Sequence, residues 1–225
     1  MLTAENVTFG YRRGEPVLRD AALSIAPGEV VGLAGPSGCG KSTLVRVLTL
    51  LQRPWSGRVL LDGVPVEGFR YRAPRAARTA IGVVFQSPRR SVDPRLRLRD
   101  VIAEPLRANR VRADQPARVA EVAELVGLTD DLLGRLPHEV SDGQLQRACL
   151  ARALVLRPRY LICDEMTAML DASTTAALVQ AVRAVVTERE LGVLAVSHDE
   201  ELLAVWAHRV TRLSSQESGS RTVAA

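Results

Sequence analysis

The stretch VVGLAGPSGCGKSTLVRVLTLL, from Val30 to Leu51, decides the fold. Its first five residues are a continuous apolar run of the kind carried by a strand buried on both faces. Its last ten, Ser42 to Leu51, have the length and composition of a helix. Between them Gly35, Gly38 and Gly40 let the backbone bend so that several N–H groups point at one spot, forming an anion nest where a helix begins. The pattern GxxxxGK[ST], in the order strand, loop, helix, predicts a phosphate-binding P-loop made of Gly35, Pro36, Ser37, Gly38, Cys39, Gly40, Lys41, Ser42 and Thr43. Lys41 is placed to reach the β- and γ-phosphates of a nucleotide, and the Ser42 hydroxyl to ligate Mg²⁺.

Working outward from this segment, apolar runs at Glu5 to Phe9, Val17 to Ile25, Gly57 to Asp62 and Ile81 to Phe85 predict further strands. From Ser87 to about Leu156 the pattern changes to helical segments, Asp100 to Arg107, Gln115 to Val126 and Gly143 to Leu156, separated by Pro94, Gly127 and Pro137. This reads as a helical lobe inserted into the core. Strand signals return at Tyr160 to Cys163, Gly192 to Ser197 and Val210 to Leu213, with a helix over Ala172 to Glu190. Alternating strands and helices predict an α/β core with a mainly parallel sheet. The final segment, SSQESGSRTVAA, reads as a frayed tail over 214–225.

With 225 residues, 47% of them apolar, the chain can bury one substantial core carrying an inserted lobe. No apolar stretch is long enough to span a membrane, the N-terminus has no signal-peptide core, and a soluble, cytosolic chain is expected. Cys39, Cys149 and Cys163 are odd in number and lack CxxC spacing, which argues against a disulfide framework or a zinc site. The net charge is +5, and 29 of the 30 basic residues are arginine. The one lysine is Lys41. In a chain that uses arginine for every generic positive charge, this survivor marks a place needing a compact ammonium. The arginines are dispersed and aromatic residues make up only 4%, so no nucleic-acid groove is expected.

Other candidate site residues stand at strand ends. The strand RYLICDE ends in Asp164 and Glu165. Asp164 suits the second Mg²⁺ ligand of a P-loop enzyme, and Glu165 the residue that orients or deprotonates an attacking water. His198 follows the strand Gly192 to Ser197, and by itself a lone histidine is more often structural.

Taken together, Gly35 to Thr43, Gln86, Ser141 to Gln144, Asp164 with Glu165, Asp171 and His198 resemble, in order and spacing, the nucleotide-binding domain of ATP-binding cassette (ABC) proteins. The likeness runs from Leu2 to Leu213, and its most specific element is VSDGQLQRACLARAL, Val140 to Leu154, which is similar to the family's signature sequence. The resemblance implies a P-loop NTPase core with an N-terminal antiparallel β subdomain and an inserted α-helical subdomain, binding ATP and Mg²⁺. Position by position, it implies that Tyr11 stacks on adenine, Gln86 touches Mg²⁺ and the attacking water, and His198 contacts the γ-phosphate. It also implies that Asp171 lies in the loop between two nucleotide sites. Ser141, Gly143 and Gln144 would close over the γ-phosphate held by a partner's P-loop, so the active site is shared between two chains.

Three features depart from the family pattern. Asp142 replaces the first of two glycines after the signature serine, Met166 stands where proline is usual, and Ala168-Met169 replace Ser-Ala. A carboxylate at position 142 is expected to repel the partner's phosphate unless its side chain turns outward. Pairing with a second ABC ATPase subunit is expected, and a different subunit would make one site regular and one weakened; a homodimer is the alternative.

The stretch SPRRSVDPRLRLRDVIAEPLR, Ser87 to Arg107, resembles the corresponding part of importers for oligopeptides, nickel and metal-chelate complexes. That likeness implies permease subunits as partners, an extracytoplasmic substrate-binding protein acting indirectly, and a place on the cytoplasmic face of the membrane. It also implies that the C-terminal extension of longer relatives is absent. A non-transport ABC ATPase and a regulatory ATP-binding subunit with weak hydrolysis are the alternatives.

Overall fold

The computed structural model describes residues 1–112, 114–168, 170–213 and 223–224. The chain opens with β1 (Leu2–Phe9), β2 (Leu18–Ile25) and β3 (Val30–Ala34), and passes through the P-loop into α1 (Lys41–Leu48). It continues through β4 (Ser56–Leu61), β5 (Val64–Pro65), α2 (Arg75–Thr79) and β6 (Ile81–Val84). The helices α3 (Leu98–Ala108), α4 (Gln115–Leu125), α5 (Asp130–Leu133) and α6 (Asp142–Leu154) come next. The chain closes with β7 (Tyr160–Asp164), α7 (Ala172–Arg189), β8 (Gly192–Val196), α8 (Glu200–Trp206), β9 (Arg209–Leu213) and β10 (Val223–Ala224).

Two sheets result. Strands β2, β1, β4 and β5, in that order, form an antiparallel sheet at the N-terminal end. The larger sheet has the order β10-β9-β3-β8-β7-β6; its pairs are parallel except for the antiparallel edge made by β10. This is the expected P-loop NTPase core with its antiparallel β subdomain.

The parallel sheet is covered on both faces, which is why its strands read as unbroken apolar runs. Successive residues of β8 divide between two cores. Leu194 and Val196 pack with Leu44, Val45 and Leu48 of α1 and with the N-terminal sheet. Val193 and Ala195 pack on the other face with Leu178 and Val182 of α7. The same core takes in Leu98, Ile102 and Leu106 of α3, Val119 and Val122 of α4, and Leu145 and Cys149 of α6. Burying a leucine or valine of this kind contributes about 1.5 to 3 kcal/mol.

Several boundaries differ from the sequence reading. β1 begins at Leu2, three residues early, because Leu2, Thr3 and Ala4 pair with both β2 and β4. α1 starts at Lys41 and stops at Leu48, short of Leu51: Leu50 has φ +62°, and the amides of Leu51 and Gln52 both fold back to the Arg46 carbonyl. α2, α5 and α8 had no counterpart in the sequence reading, since at four to seven residues they are too short to establish a period. The expected tail falls mostly outside the described residues, at 214–222 and 225. Within it Val223–Ala224 pairs with β9 at Leu213 and Arg212. Position 169 also lies outside the described residues.

Candidate functional site

The P-loop emerges from β3 and turns back into α1 through three glycines with positive φ, Gly35 at 149°, Gly38 at 78° and Gly40 at 110°. Gly35 has a second reason to be glycine: a Cβ there would stand 2.4 Å from the Leu213 carbonyl oxygen and 2.9 Å from the Cys39 sulfur. Cys39 is buried as the floor of the loop, whereas Pro36, Ser37 and Gly38 are exposed. Lys41 is buried, and its ammonium donates to the Gly35 carbonyl at 2.6 Å and the Pro36 carbonyl at 3.0 Å. The cation is thus held over the loop mouth by the loop's own backbone.

Strand β7 delivers the two carboxylates. Asp164 Oδ1 lies 3.4 Å from the Ser42 hydroxyl, which donates to it across the end of the sheet. Burial pushes the Asp164 carboxyl above its ordinary pKa and the neighbouring Glu165 adds to this, against the opposite pull of Ser42, Arg46 and Lys41. A desolvated carboxylate beside a hydroxyl is a donor set that suits a hard divalent cation.

Glu165 takes a left-handed backbone, φ +51°, fixed by its amide donating to the Val196 carbonyl at 3.0 Å. Such a conformation in a non-glycine residue costs roughly 1 to 3 kcal/mol and persists where surrounding contacts impose it. It turns the side chain to Gln86, whose amide nitrogen donates to Glu165 Oε2 at 2.9 Å. His198 Nδ1 is 3.8 Å from Glu165 Oε1, and the imidazole is largely exposed. Gln86, Glu165 and His198, from three strand ends, therefore meet beside Ser42 and Asp164. Tyr11 is exposed next to α1: its hydroxyl lies 3.3 Å from Thr43 Oγ1, accepts from Arg46, and its ring stands edge-on to Phe9 at 5.3 Å.

The other predicted residues do not join this group. Ser141 and Gln144 cap α6 reciprocally, the Gln144 amide donating to Ser141 Oγ at 3.2 Å and the Ser141 amide to Gln144 Oε1 at 3.0 Å. Asp171 caps α7, accepting from the Thr174 amide at 2.9 Å and from the hydroxyls of Ser173 and Thr174 at 2.6 and 2.8 Å. These bonds, that of Ser173 first, hold its carboxyl well below the usual range. A Cβ on Gly143 would stand 2.7 Å from Thr174 Cγ2, so a side chain there would have to displace that methyl at the start of α7. Among the described residues, no hydrogen bond or ion pair joins 141–144 or Asp171 to the P-loop.

Two residues were missed by the sequence reading. Gln146 is buried in α6 and donates to the carbonyls of Phe85 at 3.2 Å and Met166 at 3.0 Å, the neighbours of Gln86 and Glu165. A glutamine on the buried face of a helix was the available signal. Arg89 lies 2.7 Å through Nε from Asp142 Oδ1, and nothing among so many arginines distinguished it. The Asp142 carboxylate thus has a cation of its own chain beside it, both side chains being a little under half exposed.

The sequence profile described as ABC transporter matches residues 18–168, from β2 through the signature helix and past both carboxylates. The chain belongs to the ABC transporter family. This ABC chain is 41% identical over 221 residues to a putative peptide import ATP-binding protein of Brucella abortus (strain 2308), the match covering 93% of the chain. It spans 65% of that relative's length. It is 39% identical over 221 residues to a nickel import ATP-binding protein of Brucella suis biovar 1 (strain 1330), covering 93% of this chain and 82% of that protein. Among solved structures it is similar to a bacterial ABC transporter cassette determined as a dimer, at TM-score 0.85 and 28% identity, covering 100% of this ABC chain and 97% of the other.

Proposed function

We propose that this ABC chain is the ATP-binding and ATP-hydrolysing subunit of a transporter, of the type that imports peptides, nickel or metal-chelate complexes. The observation that carries the reading is the meeting of Gln86, Glu165 and His198 beside Lys41, Ser42 and Asp164 at the ends of parallel strands. Lys41, released from its two loop carbonyls, would hold the β- and γ-phosphates, with the P-loop amides completing the cradle and Tyr11 taking the adenine. Ser42 and Asp164, with Gln86, would hold Mg²⁺, which supplies countercharge to the phosphate oxygens when bound. Glu165 is the proton acceptor for the attacking water, Gln86 orients that water, and His198 faces the γ-phosphate. Ser141, Gly143 and Gln144, which make no hydrogen bond to the chain's own P-loop among the described residues, would cover the γ-phosphate of a partner ATPase subunit, with Asp171 lying between the two sites.

No helix among the described residues is long and apolar enough to cross a membrane. In the transporter, permease partners would form the membrane path, with this chain at their cytoplasmic face. A substrate-binding protein would meet those permeases outside. The names of the relatives and the segment Ser87 to Arg107 support import. A Glu165→Gln chain is expected to bind ATP within about twofold of the parent, while turnover falls roughly 10²-fold or more; unchanged turnover would remove Glu165 from this role. Affinity purification of the tagged chain from its own membranes is expected to bring down a permease, and its absence, with nucleic acid or ribosomes in its place, would favour the non-transport reading.

A further inference from the structure

Asp142 opens α6 directly beside the exposed Ser141, and its Oδ1 lies 2.7 Å from Arg89 Nε, both side chains being a little under half exposed. The guanidinium is anchored at its other nitrogens as well, Nη1 donating to the Pro137 carbonyl at 2.9 Å and Nη2 to the Val140 carbonyl at 3.1 Å. Three contacts on one planar fork fix where the positive charge sits. Asp142 and Gly143 differ by about 100° around the helix. Gly143 meets Thr174, and Asp142 is drawn the other way, towards the segment that follows Gln86.

We propose that Arg89 is a positioning residue that restrains and neutralises Asp142, so that this chain presents an uncharged signature edge to the nucleotide of its partner. The proposal rests on the functional reading above, in which the edge from Ser141 to Gln144 closes on a bound phosphate. Arg89 stands three residues after Gln86, so a shift of that segment changes the charge shown at the edge. An arginine at 89 and an aspartate at 142 are thus one device, and removing the first alone leaves a bare carboxylate facing phosphate.

The test uses the full chain carrying Glu165→Gln, alone and with the ATPase subunit that copurifies with it, and reads the chain concentration at which MgATP gives half-maximal association. Adding Arg89→Ala is expected to raise that concentration about tenfold at low salt, with a smaller effect at high salt, while ATP affinity of the chain's own P-loop stays within about twofold. Adding Asp142→Gly to Arg89→Ala is expected to restore association to within roughly threefold of the starting chain, and Arg89→Lys to retain part of it. A merely structural arginine would not be rescued by removing Asp142. Should Arg89→Ala lower the melting temperature enough to unfold the chain, Arg89→Gln takes its place. Association unchanged by the loss of Arg89, or a defect that Asp142→Gly leaves standing, overturns the proposal. A Glu165→Gln chain that never associates with ATP in either setting overturns the functional reading and the proposal with it, a distinct result.

Discussion

Lys41 brings together sequence and geometry in one side chain. It is the lone lysine beside 29 arginines, and its buried ammonium donates to two loop carbonyl oxygens at 2.6 and 3.0 Å. A guanidinium keeps the charge, but its longer, planar fork does not reproduce a point donor between those two carbonyls. Lys41→Arg is therefore expected to weaken ATP binding by about tenfold or more, roughly 1.4 kcal/mol, as read by titration with a fluorescent ATP analogue. Affinity preserved in that variant would show that only charge is needed. Lys41, Ser42, Asp164 and Glu165 were legible because each stands at a fixed offset from a strand end. Arg89 and Gln146 were not, because what sets them apart is a contact across the fold: Arg89 reaches α6 from the segment after β6, and Gln146 reaches the backbone next to Gln86 and Glu165.

Among the elements, α6 joins the two halves of the molecule. Its apolar residues fill the core shared with α3 and α4, while Gln146 ties it to the residues next to Gln86 and Glu165. Replacing Gln146 by leucine keeps the volume but leaves two carbonyls without their donor, at a cost of about 2 kcal/mol. The melting temperature is expected to fall by roughly 4 to 8 °C, and ATP turnover to drop with it because the backbone beside Glu165 is freed. Full retention of both would mean the two carbonyls find other partners. The long strands and helices were readable from buried runs and period, as with β3 and α7. The ends of elements were not: α1 stops at Leu48 although the sequence stays apolar through Leu51, because the chain turns left-handed at Leu50. Nothing local marks that turn.

For the molecule as a whole, the parallel sheet gathers Gln86, Glu165, His198, Ser42 and Asp164 at one set of strand ends, and the signature stands elsewhere. The family resemblance placed Ser141 to Gln144 in a partner's site; within the chain Ser141 and Gln144 cap α6. The one feature that argued for a defective site, Asp142, is matched by a counter-charge that no local pattern could disclose. In the proposed function the P-loop of this chain is half of a nucleotide site, completed by a second ATPase subunit. It is tested by the molar mass of the Glu165→Gln chain by light scattering, with and without saturating MgATP, alone and with any ATPase subunit that copurifies with it. The mass of two ATPase subunits is expected only when ATP is bound. ATP bound at saturation with the mass of a single subunit in every mixture would contradict it.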